Sequence, residues 1–65
     1  MQRDVIAKRL RELRGERPQI EVAMAIGVTK GAISMYECGD RVPSDDIKVK
    51  LADYYGVTVQ EIFYS

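Results

Sequence analysis

Apolar side chains recur along this chain about every 3.6 residues, in short stretches set apart by glycine or proline. Ile6, Leu10 and Leu13 fall at i, i+4 and i+7 and predict a first helix from Asp4 to Arg14. Gly15 ends it, as glycine does just past a helix C-terminus. Pro18 suits the first turn of a second helix, where its missing N–H has no partner to lose. That helix runs to Ile26, with Val22, Ala23 and Ile26 facing inward. Gly27 stops it and Val28 fills the corner. Thr29 is placed to cap a third helix, because its hydroxyl can accept from a free backbone N–H. Ala32, Ile33 and Tyr36 pack inward on this helix, Lys30, Gly31, Ser34 and Met35 face outward, and Gly39 closes it.

After a loop from Asp40 to Pro43, Ser44 is placed to cap a fourth helix. Asp45 and Asp46 stand in its first turn, where the helix dipole favours negative charge. Ile47, Leu51 and Tyr55 follow at i, i+4 and i+8, with Ala52 beside them, and Gly56 ends the helix. Thr58 and Glu61 have the form of a capping box for a short last helix holding Val59, Ile62 and Phe63. No repeat, low-complexity stretch or alternating strand pattern interrupts the series. The expectation is all-α: five short helices in one domain, 1–65, with the second and third joined by a glycine-centred turn. Such a pair can present its second member to a DNA major groove.

Composition narrows the alternatives. A chain of 65 residues buries roughly 60% of its unfolded surface, so its stability margin is thin. One cysteine precludes an internal disulfide, and the lack of histidine makes a zinc site unexpected. An unpaired Cys38 fits a reducing cytoplasm. No apolar run reaches the ~20 residues of a membrane span, and no apolar segment follows the N-terminal arginines as a signal peptide requires. Without a metal cluster, a glycine-rich phosphate loop or an expected cavity of several hundred Å3, an enzyme is not expected, nor is a cofactor. The complete first and last helices argue against a truncated fragment.

Net charge is zero but unevenly spread. Residues 1–41 carry eight Lys/Arg against six Asp/Glu, and residues 42–65 carry two against four. The sharpest excess lies in residues 1–17, with six basic and three acidic side chains. Lys8, Arg9 and Arg11 read either as a solvated helix face or as contacts to a nucleic-acid backbone.

The run Gln19-x-Glu21-Val22-Ala23-x-x-Ile26-Gly27-Val28-Thr29-x-x-Ala32-Ile33-Ser34-x-Tyr36-Glu37-x-Gly39 resembles the Cro/repressor-type (XRE-like) helix-turn-helix domains. Leu13-Arg14, Pro43-Ser44, Leu51-Ala52 and Gly56-Val57 extend the likeness from about Ile6 to Phe63. The resemblance implies a five-helix, lambda-repressor-like DNA-binding domain. It implies that Gln19 holds a phosphate and braces the third helix, and that Thr29 reaches a phosphate. It places Lys30, Gly31, Ser34 and Met35 against base edges, and Arg41 along the DNA backbone. It also implies a buried ion pair between Arg14 and Glu37. Guanidinium and carboxylate geometry suits that pair, and removing one partner is expected to cost on the order of 3–5 kcal/mol.

Three departures stand out. The link between the first two helices is about two residues shorter than the family pattern, Pro18 replaces a Ser or Thr cap, and Met35 and Cys38 stand where Arg, Lys or Asn is common. Lys30 is the candidate for a guanine edge and Met35 for a thymine methyl. Gly31 serves either a close approach to the duplex or nothing at all. Tyr36 is read as core, and Tyr54, Tyr55 and Tyr64 as packing or interface groups. The functional expectation is a sequence-specific regulator of transcription, a repressor that binds a palindromic operator in double-stranded DNA as a homodimer. Val59, Ile62, Phe63 and Tyr64 offer an apolar patch for that dimer, part of which must also close the core. The alternative is a protein-interaction module, such as an antitoxin or a regulator controlled by a protein partner.

Overall fold

The computed structural model describes residues 2–64. Among them α1 spans Arg3–Arg14, α2 Gln19–Ile26, α3 Lys30–Cys38, α4 Asp45–Tyr55 and α5 Val59–Phe63, with no strand. Helix α2 begins one residue later than the spacing predicts, because Pro18 is extended (φ −64, ψ 146) and stands as the N-cap. The Thr29 hydroxyl accepts from the Ala32 N–H at 3.1 Å. Thr58 and Glu61 form the reciprocal capping box. Ser44 departs from expectation: it occupies the N-cap position of α4 but its side chain makes no cap bond. The acidic first turn, Asp45 and Asp46, is what remains to offset the dipole there.

Two glycines hold the ends of α3. Gly27 takes φ 78 in the turn from α2, a left-handed value at which a β-carbon is strained. Gly39 takes φ 83, and a Cβ there would lie 3.4 Å from Asp4 Oδ1, so α3 ends hard against the start of α1.

Ile6, Leu10, Val22, Ala23, Ile26, Ile33, Tyr36, Leu51, Ala52, Ile62 and Phe63 form one buried cluster. Both α1 and α2 pack on α3, α2 also meets α4, and α5 closes onto α4 and α1. The third helix is therefore pinned from two sides by its inner face, which leaves the opposite face open. On α4 the buried set is Lys48, Leu51 and Ala52, whereas Ile47 and Tyr55 are half-buried. The inward stripe is thus rotated by one residue from the predicted one and carries a lysine. Lys48 is tolerated because its Nζ donates to the Tyr64 hydroxyl at 2.8 Å. It also sits 5.4 Å from the Phe63 ring centroid and 4.9 Å from that of Tyr64. No helix among the described residues is long and apolar enough to cross a membrane.

Candidate nucleic-acid interface

Lys30, Gly31, Ser34 and Met35 all lie on the exposed side of α3, while Ile33, Tyr36 and Glu37 face the core. Positions i, i+1, i+4 and i+5 share one side of a helix, so the four side chains make one strip. Lys30 is the single basic residue on α3. A Cβ on Gly31 would meet only the Thr29 hydroxyl, at 3.8 Å. Nothing inside the fold requires glycine at that position. Thr29 is exposed at the head of the strip. Its oxygen accepts from the helix, which leaves its own O–H to donate outward. Arg41 is exposed in the loop past the other end, where the N–H groups of Asp40 and Arg41 both donate to the Met35 carbonyl, at 3.1 and 3.3 Å.

Behind this strip is a polar hub centred on Glu37, whose side chain is 5% exposed against 21% for Arg14. Arg14 Nε donates to both carboxylate oxygens, at 3.0 and 2.8 Å. Gln19 Nε2 donates to Oε1 at 3.1 Å, so the head of α2 is fastened to the tail of α3. Gln19 keeps a second amide hydrogen for another acceptor. The bond to Glu37 holds the Arg14 guanidinium above its ordinary range despite the opposing effect of burial. Tyr55 is pushed up to about 12, first by burial and then by the negative charge of Glu37.

Three arginines do work that their residue type did not announce. Arg11 donates to the Glu37 carbonyl, which caps the last turn of α3 from α1. Arg9 Nη1 donates to the Ile62 carbonyl at 3.0 Å and ties α1 to α5. Of the Lys8, Arg9 and Arg11 cluster, two members are therefore fold fasteners rather than a freely solvated face. Arg17 donates to the carbonyls of Leu13 and Arg14, at 2.9 and 3.3 Å, and its own carbonyl accepts from Arg14 Nη1 at 2.7 Å. Its guanidinium also lies 5.3 and 5.2 Å from the Tyr54 and Tyr55 ring centroids. These contacts rigidify the short α1–α2 link. No local sequence signal marks them, because the acceptors are backbone carbonyls and the aromatic rings are distant in sequence.

The C-terminal patch is smaller than its sequence implies. Ile62 is 1% exposed and Phe63 7%, both spent on the core, while Val59 is half-buried and Tyr64 is 61% exposed. The expectation that the surface lacks a cavity of several hundred Å3 is also corrected. An open groove of about 570 Å3 runs between α2 and α4. No group of three or more His, Cys, Asp or Glu stands ready to hold a metal ion among the described residues.

Two helices joined by a glycine-centred turn, the second braced from behind and exposed in front, define a helix-turn-helix DNA-binding domain. Residues 8–62 match the helix-turn-helix family, and the chain belongs to it. Over 60 residues the chain is 40% identical to the cryptic phage CTXphi transcriptional repressor RstR of Vibrio cholerae. That match takes in 89% of this chain and 54% of the relative, so the chain spans about half the length of the curated relative it matches. No solved structure matches the chain. The family is one of DNA-binding regulators and not of enzymes.

Proposed function

We propose that this DNA-binding regulator is a sequence-specific repressor that occupies a palindromic operator as a homodimer, in the cytoplasm. Two copies of α3 enter successive major grooves with half-sites roughly 34 Å apart, one helical turn. The observation that carries the reading is the asymmetry of α3. Its inner face is locked through Glu37 by Arg14 and Gln19, and the side chains of its outer strip, Lys30, Ser34 and Met35, with Gly31 between them, bond to no partner among the described residues. Lys30 donates to a guanine edge, Met35 meets a thymine methyl, and the absence of a Cβ at Gly31 lets the backbone come close. Gln19, Thr29 and Arg41 hold phosphates at the margins and set the register. Val59 and Tyr64 supply the exposed part of the dimer contact, with Ile62 and Phe63 supporting it from the core.

Selection from random-sequence duplex DNA tests this, with Lys30→Ala and Met35→Ala run in parallel. The expected result is an enriched palindrome that both variants fail to recover. No enrichment at any salt concentration would favour a second reading, a module that binds a protein partner, such as an antitoxin. A single basic residue on α3 and a chain of zero net charge speak for that second reading.

A further inference from the structure

The groove between α2 and α4 lies on elements other than α3 and is lined by Met24, Ile26, Gly27, Lys50, Asp53 and Tyr54. Its composition does not suit a surface meant to stay wet. Met24 is 76% exposed, the most exposed of the large apolar side chains among the described residues, and Ile20 one turn earlier is 47% exposed. Beside them the groove is open over Gly27, where an added Cβ would meet nothing within 4 Å. A knob and a hole therefore lie in one patch.

The charges around the groove have the same self-matching character. Lys50 and Asp53 stand three positions apart on α4, both exposed, and neither side chain enters an ion pair or hydrogen bond among the described residues. A contact about a twofold axis sets each residue of the patch against a different residue of the same patch. Lys50 of each copy can then face Asp53 of its partner, while each Met24 enters the groove of the other. An apolar centre with a charged rim of both signs is the ordinary anatomy of a protein contact.

We propose that this groove is a self-association surface for a second copy of the chain. It is separate from the α5 patch assigned to the operator dimer, and its lining leaves the outward strip of α3 uncovered. Copies bound to DNA can thus join through it, and dimers on neighbouring sites become linked.

Sedimentation equilibrium of the intact chain without DNA tests the proposal, with circular dichroism to check the fold of each variant. The variants are Met24→Glu, Lys50→Asp, Asp53→Lys and the double swap Lys50→Asp/Asp53→Lys, each made alone and on a Tyr64→Ser background. Tyr64→Ser removes the exposed ring of the α5 contact and, with it, the hydroxyl that Lys48 bonds, so circular dichroism must show that this background keeps its fold; the two dimer surfaces then report separately. The expected result is association that persists in Tyr64→Ser. On that background it should weaken at least tenfold with Met24→Glu and with either single reversal, and the double swap should restore it to within about threefold. The rescue is specific to a twofold contact, since a foreign partner would not change charge with the swap. Association that is lost with Tyr64→Ser alone, or that ignores all four changes, or that the double swap fails to restore, overturns the proposal without touching DNA recognition.

Discussion

Glu37 is the residue on which the reading helix depends, and the two members of its ion pair with Arg14 are not equivalent. Taking away Arg14 leaves a carboxylate that is almost fully buried, whereas taking away the carboxylate leaves a guanidinium that still reaches water. Arg14→Met should therefore cost on the order of 3–5 kcal/mol, and Glu37→Gln about 1–3 kcal/mol. Chemical denaturation of the two variants measures the order, and equal costs would show that both groups are solvated alike. A second residue-scale expectation concerns alkaline pH. The folded-state pKa of Tyr55 stands near 12 against an ordinary 10.0, so folding favours its neutral phenol. That contribution is complete below pH 10 and is lost as the pH climbs from 10 towards 12. Lys48 is also raised, chiefly by its bond to Tyr64, and loses its contribution on the same alkaline side. Tyr55→Phe should keep its helical signal to a higher pH than the parent in a titration followed by circular dichroism. At this scale the resemblance made Arg14 and Glu37 legible, because their spacing belongs to a family pattern. Lys48 was not legible. A lysine reads as solvated, and the Tyr64 hydroxyl together with the Phe63 and Tyr64 rings makes its burial tolerable.

Helix α3 carries the clearest element-scale prediction. Glycine in its first turn lowers helix stability, yet a methyl group there has room within the fold. Gly31→Ala should stabilise the domain by a few tenths to about 1 kcal/mol. The same methyl group would stand between the helix and the duplex, so the variant should melt higher and bind DNA less well. Gain in both properties would mean that the duplex never approaches that backbone. Thr29→Ala should have the opposite sign on stability, about 1 kcal/mol lower, as read from the thermal midpoint. The helices themselves were legible from periodicity and caps, because Ile6, Leu10, Val22, Ile33 and Leu51 are spaced for burial and are buried. The α1–α2 link was harder to read. Its shortness and Pro18 are visible in the sequence, but not that Arg14 and Arg17 tie the link to itself and to Tyr54 and Tyr55. The local bonds end on backbone carbonyls and the two rings are distant in sequence, so neither kind of contact has a periodic trace.

Across the whole molecule the question is how a neutral chain attracts a polyanion. Positive charge on α3 is limited to Lys30, and Glu37 of the same helix cancels the charge of Arg14. Arg11 donates to a neutral carbonyl, so it keeps its charge and adds to the field of the N-terminal half. Arg41 adds to it from the loop. Attraction should therefore be modest, with recognition resting on shape and apolar contact along α3. The direct test is a salt titration of binding to the selected DNA site, run for the parent and for Met35→Ala. Each phosphate contact contributes about 0.9 to the slope of log K against log salt. The account predicts a linear fall with a slope of a few units, and for Met35→Ala a weaker line of the same slope. A flat dependence, or a Met35→Ala line that overlies the parent, would contradict it.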